Sequence, residues 1–141
     1  MINLKDLDQK IGGAKNFTWK DALWLSKWEI ACVPTADQTI NILDVALKLQ
    51  SIREYFNSPI LVTSWLRPLK YNLQIKGALN SAHTEGKAVD FNVIGYDPNE
   101  IRKELIPQLD NLKIRMEDLD DSNWVHIDIR EPGKGGRFFK P

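Results

Sequence analysis

The sequence predicts an α+β domain with a central antiparallel sheet flanked by helices. Two observations predict it. Segments with helical spacing of apolar residues lie mainly in the first half of the chain, and β-branched or alternating segments lie mainly in the second, an order that fits an α+β fold better than alternating βαβ units. A chain of 141 residues, 43% hydrophobic and 27% charged, also has the size and composition of one globular domain with a substantial core.

The elements follow in chain order. Residues 1–15 are polar, contain the pair Gly12-Gly13, and read as an arm leading into a domain over residues 16–141. Thr18 can cap a helix running through Trp19, Leu23, Trp24 and Trp28. Thr35 and Gln38 have capping-box spacing, and Ile40, Leu43, Leu47 and Ile52 give the following helix an apolar face. That helix ends near Phe56, because Asn57-Ser58-Pro59 cannot continue it. Ile60–Ser64 is a β-branched strand, and after Arg67-Pro68 a turn or short helix carries Tyr71 and Asn72. Lys87–Val93 reads as a second strand. Asp97 and Pro98 suit the cap and first position of a helix that stops before Pro107. Lys113–Met116 and Trp124–Ile129 are the remaining strands, and the tail is a Gly-rich turn followed by an aromatic anchor, Phe138-Phe139.

Composition excludes several classes of function. Nineteen Lys+Arg balance 19 Asp+Glu, so the chain lacks the basic excess expected of a nucleic-acid binder or a polybasic membrane-surface protein. No apolar run is long enough to insert in a membrane, and Met1–Asp8 shows neither a basic start nor an apolar stretch, so no signal peptide is expected. The expected location is the cytoplasm until some other event releases the protein, and nothing demands more than a monomer. The single cysteine, Cys32, excludes an intrachain disulfide framework and a cysteine-rich zinc site, and reads as a small buried hydrophobe.

Chemistry concentrates around the two histidines. In Ser81-Ala82-His83-Thr84-Glu85-Gly86-Lys87-Ala88-Val89-Asp90, Gly86 allows a tight turn between His83 and the strand, and strand alternation places Ala88 and Asp90 on one face. The small Ala88 leaves room for His83 to fold over and meet Asp90. In Trp124-Val125-His126-Ile127-Asp128, Val125 and Ile127 suit a core face, leaving Trp124, His126 and Asp128 on the other. Two imidazoles and a carboxylate meeting there would be a three-ligand zinc site with an open fourth position, the pattern of a catalytic rather than a structural zinc. Two hydrogen-bonded histidines without a metal stand as the alternative at this point.

Six positions, Ser81-x-His83-x-x-Gly86-x-Ala88-x-Asp90-Phe91, followed by Trp124-Val125-His126-Ile127-Asp128, resemble the zinc D-Ala-D-Ala carboxypeptidase and L-alanyl-D-glutamate endopeptidase superfamily, whose fold is shared by the hedgehog signalling domain. Thr63-Ser64-Trp65-Leu66-Arg67-Pro68 with Asn72 resembles the segment that precedes the first histidine motif there, and Asn16-Phe17-Thr18 resembles the start of phage-type members. The likeness runs from about residue 16 to 130. It implies one zinc ion held by His83, Asp90 and His126, a substrate-facing Arg67, and peptide bonds of bacterial peptidoglycan as substrate. Ser81 would support the substrate or the loop, and Trp124 would flank the cleft. Several relatives carry the catalytic acid three residues before the last histidine, where this chain has Asn123. Glu117 is the first candidate to replace it, with Asp120 and Asp121 behind it. Asp128 could orient the His126 ring, or pair with Arg130. The activity implied is a D,D-carboxypeptidase or endopeptidase of endolysin type. The alternatives are a non-catalytic, zinc-stabilised binding module and a phage structural protein on the same fold.

Overall fold

The computed structural model describes residues 4–141; Met1–Asn3, the first residues of the expected arm, lie outside the described residues. The chain opens with a 3₁₀ turn (Leu4–Asp6) and a hairpin of β1 (Lys10–Ile11) and β2 (Ala14–Thr18). This hairpin spans the expected boundary between arm and domain, and Ile11, Ala14 and Phe17 all enter the core.

Thr18 caps α1 (Trp19–Leu23) through a capping box with Asp21, but the helix stops well before Trp28. Trp24 turns extended and starts a small hairpin, β3 (Trp24–Leu25) with β4 (Ile30–Ala31), because its partner strand offers a ladder and Cys32 N–H donates to the Leu23 carbonyl at 2.9 Å. The expected helix through Trp24 and Trp28 is therefore corrected. Trp19 is buried, whereas Trp28 packs edge-on against Tyr71 and donates from Nε1 to Gln74 Oε1 at 2.7 Å. Cys32 is half-buried against the core, and burial pushes its thiol up to about 11, which leaves it unreactive at neutral pH.

Helix α2 (Ala36–Phe56) is the long element. Thr35 Oγ1 accepts from Gln38 N–H at 3.1 Å, and Gln38 Oε1 accepts from Thr35 N–H at 2.9 Å, the reciprocal bonds of a capping box. Asn57 ends the helix in the left-handed conformation, at φ 47°. Of the expected face only Ile52 is buried. Ile42, Val45, Ala46, Leu49, Ile52 and Phe56 face the core, while Ile40 and Leu47 are 64% and 53% exposed. Two apolar stripes run along this helix, and the second lies toward the turn of the first hairpin. There a Cβ on Gly12 would sit 3.2 Å from Leu43 and one on Gly13 would sit 3.6 Å from Leu47.

The main sheet has five strands in the order β5-β6-β8-β7-β9: β5 (Ile60–Ser64), β6 (Ala88–Val93), β8 (Val125–Asp128), β7 (Arg115–Glu117) and β9 (Phe138–Phe139). The first four pair antiparallel, as expected. The last does not: β9 joins β7 in parallel, so the sheet is mixed. The expected aromatic anchor is thus a sheet strand. Helix α3 (Leu69–Gln74) follows β5. Asp97 caps α4 (Pro98–Leu105); a 3₁₀ turn (Ile106–Gln108) then absorbs Pro107 before α5 (Leu109–Leu112).

The core collects α2, the first hairpin and one face of the sheet, with Val89, Phe91, Val125, Ile127 and Met116 buried. Strand alternation sends Asp90, His126, Asp128, Arg115 and Glu117 to the other face. The register sets Asp90 directly opposite His126 and Arg115 opposite Asp128. Leu49→Ala, at a fully buried position, is expected to cost about 2–5 kcal/mol in urea unfolding, whereas Ile40→Ala on the other stripe should stay within about 0.5 kcal/mol of wild type.

Candidate metal centre

His83 sits in a 3₁₀ turn (Ala82–Glu85) between α3 and β6. Ser81 Oγ caps it by accepting from His83 N–H at 3.2 Å. Helix α2 pins the turn from behind: Gln38 Nε2 donates to the Thr84 carbonyl at 3.0 Å and Asn41 Nδ2 to that of Glu85 at 2.9 Å. Gly86 closes the turn at φ +73°, where a Cβ would come within 3.1 Å of the Gln38 carbonyl. The room this glycine leaves brings His83 back over β6, as its spacing predicts.

The three residues converge on a single oxygen. His83 Nε2 lies 3.1 Å and His126 Nδ1 2.8 Å from Asp90 Oδ1. All three side chains are buried, and their ligand atoms lie within 4.8 Å of one another. The Trp65 carbonyl, 2.7 Å from His83 Nδ1, can only accept, so that ring donates from Nδ1 and turns Nε2 toward Asp90. His126 lies between two carboxylates, with Nδ1 2.8 Å from Asp90 Oδ1 and Nε2 3.2 Å from Asp128 Oδ2, so in the protonated ring both nitrogens donate. A cation shared by His83, Asp90 and His126 would take the place of the proton on His126 Nδ1, leaving Nε2–H to donate to Asp128. Two imidazole nitrogens and a carboxylate oxygen this close together are a donor set that fits a metal such as zinc.

Electrostatics follow the same convergence. Burial opposes charge on Asp90, but the bonds from His126 and His83 outweigh it and hold the carboxyl well below the usual range. Burial likewise opposes charge on His126, yet the bonds to Asp128 and Asp90 push the ring up to about 9. Asp128 is also lowered, its burial outweighed by His126 and Arg115.

The remaining predicted residues divide. Arg67, Ser81, Glu117 and Trp124 line a cleft of about 170 Å³ together with Ala78 and the three converging residues. Glu117 Oε1 lies 3.6 Å from His126 Nε2, and burial raises its carboxyl above the ordinary value despite the attraction of His126. Arg67 turns toward the ligands: Nη2 donates to Asp90 Oδ2 at 3.0 Å and Nε to Ser64 Oγ at 2.8 Å. Asn72, fully buried, stands 3.5 Å from Nη1 and donates from Nδ2 to the Ala78 carbonyl, tying the arginine to the cleft wall. Asp120 and Asp121 lie outside the cleft lining. Asp120 is 85% exposed and 3.9 Å from Lys140, and Asp121 is an exposed turn residue at φ 60°. Asn123 is exposed as well.

Asp128 pairs with Arg115 and not with the Arg130 side chain, which reaches Glu85 and Asn80 instead; only the Arg130 backbone N–H meets Asp128. Arg115 escaped the sequence reading, as did the Trp65 carbonyl. The signal for Arg115 was its place two residues before Glu117, which puts both on one face of a strand. A backbone carbonyl leaves no signal in residue identity.

Residues 15–128 match the family model for Peptidase M15. The chain belongs to the peptidase M15 family. No curated protein matches it. Membership fits the geometry, since the span matched carries His83, Asp90 and His126, and peptides are the substrates that an M15 peptidase implies. Replacing His83, Asp90 or His126 by Ala is expected to lower affinity for Zn²⁺ by more than the roughly 10–100-fold typical of losing an outer hydrogen-bond partner, as read by chelator competition on the folded variants.

Proposed function

We propose that this M15 peptidase is a zinc enzyme that hydrolyses peptide bonds in bacterial peptidoglycan stem or crosslink peptides, as a carboxypeptidase or an endopeptidase. The observation that carries the reading is the convergence of two buried imidazoles on Asp90 in a cleft that Glu117 also lines. Zinc bound there would act as a Lewis acid, lowering the pKa of water toward ~7 and polarising the scissile carbonyl.

The chain's own residues do the rest. Glu117, half-buried and with its carboxyl raised, takes the proton from the attacking water and returns it to the leaving amine. Arg67 holds Asp90 in place through Oδ2, and the cleft side of its guanidinium grips a peptide carbonyl or carboxylate. Ser81 fixes the His83 turn, and Trp124, 42% exposed at the rim, offers an apolar wall to the substrate. Asn123 at the position of the acid in several relatives favours a second reading, a zinc-stabilised binding module without turnover.

Mass spectrometry of soluble products from purified peptidoglycan separates the two. New peptides are expected with wild type and not with His83→Ala, and their masses identify the bond cut. Glu117→Gln should retain zinc and lose about 10²–10⁴-fold in turnover. Zinc-loaded wild type that releases no peptide would leave the binding module; a comparable loss at Asp120→Asn or Asp121→Asn, with Glu117→Gln active, would move the base out to the loop.

A further inference from the structure

We infer that Arg115 is a positioning residue for the metal centre, acting through Asp128, and that the C-terminal strand β9 completes its support. The inference rests on the zinc reading above and concerns how His126 is aimed. Arg115 Nε donates to Asp128 Oδ1 at 2.8 Å and Nη2 donates to Oδ2 at 2.9 Å. This two-pronged grip fixes the plane of the carboxylate as well as its position. Asp128 is 1% exposed, and its Oδ2 is the atom that accepts from His126 Nε2–H. With the carboxylate plane fixed, the imidazole cannot swing, and its other nitrogen, Nδ1, stays aimed at Asp90 Oδ1.

The arginine is itself held. Its guanidinium lies 4.1 Å over the ring of Phe139, which covers one face and favours the cation. Phe139 is kept there by the parallel pairing of β9 with β7: Met116 N–H donates to the Arg137 carbonyl at 2.6 Å and Asp118 N–H to that of Phe139 at 2.7 Å. Phe139 and Arg137 lie beyond residue 128, where the family match ends. The chain's C-terminal segment thus braces a ligand in its shared part. A lysine could supply the charge at position 115 but not the fork.

The test compares Arg115→Met, Arg115→Lys, Asp128→Asn, Phe139→Leu and the double variant Arg115→Met/Asp128→Asn. Zn²⁺ affinity is measured by chelator competition, and the His126 ring is followed by ¹⁵N NMR of the side-chain nitrogens in protein stripped of metal. Arg115→Met and Asp128→Asn should each weaken zinc by roughly 10–100-fold. Arg115→Lys should recover only part of the loss, and Phe139→Leu should lose roughly two- to fivefold. The double variant should bind no more weakly than the worse single variant, because both changes break one path. Losses that multiply in the double variant, or wild-type affinity in folded Arg115→Met, overturn the inference. Should Arg115→Met fail to fold, Arg115→Lys and Phe139→Leu carry the same comparison. Wild type that binds no zinc refutes the zinc reading alone. The NMR then decides the positioning role, since His126 should be protonated at Nε2 in wild type, with that signal displaced in the Arg115 variants, and an unmoved signal overturns it.

Discussion

The Asp90 carboxylate is the point through which the rest of the site is organised. Oδ1 receives both imidazoles and Oδ2 receives Arg67. A buried carboxylate is costly unless its charge is compensated and both oxygens are bonded. Asp90 meets that condition only when three segments far apart in sequence arrive together: the turn at His83, strand β8 at His126, and the end of β5 with Arg67. Each arrival has a separate structural cause. The antiparallel register brings His126 opposite Asp90, Gly86 and the α2 side chains bring His83, and Ser64 and Asn72 bring Arg67. The fold can therefore be read as the set of connections that let one buried oxygen have two nitrogen neighbours.

Much of this was legible in the sequence, for reasons that differ from residue to residue. Strand alternation alone separates Val89, Phe91, Val125 and Ile127 from Asp90, His126 and Asp128, because a strand has only two faces. The capping residues Thr18, Thr35 and Asp97 were legible because a helix end needs an oxygen at one defined place. The buried stripe of α2 was not. Ile40, Leu43 and Leu47 are as apolar as the residues that did turn inward, and the choice depends on where the first hairpin packs, which is tertiary information. The end of α1 failed for a similar reason, since the pairing of Trp24 with Ala31 outweighs a helical spacing of tryptophans. The parallel attachment of β9 was hidden because two residues carry no periodicity. Within the site, spacing placed His83, Asp90 and His126 where they could meet and the family resemblance gave them as metal ligands, while the atoms that orient them left no such signal: one is a backbone carbonyl and another an arginine that reads as an ordinary strand residue.

Those orienting atoms are unequal in kind. His83 is held by the carbonyl of Trp65, which side-chain substitution leaves in place, whereas His126 is held by Asp128, which depends on Arg115 and through it on Phe139. The two imidazoles meet the same oxygen at similar distances, yet the far nitrogen of one faces a backbone carbonyl and that of the other a chain of side chains.

Arg67 complicates a simple division between metal-holding and substrate-holding groups. Its donor to Asp90 Oδ2 lowers the cost of burying that carboxylate, and its other edge lies in the cleft. Bonding Oδ2 leaves Oδ1 as the oxygen that meets the imidazoles, so Oδ1 is the atom Asp90 would offer to a metal held with His83 and His126. The remaining edge of the guanidinium then faces the cleft from the side where Asp90 has oriented it. A lysine there would supply the charge to Asp90 but not the second set of donors. The position thus requires arginine for geometric reasons before any substrate is considered. The contact that keeps Asp90 in place also fixes which edge of the guanidinium faces the cleft, so the shape of the cleft and the arrangement of the His83, Asp90 and His126 donors are linked through one side chain.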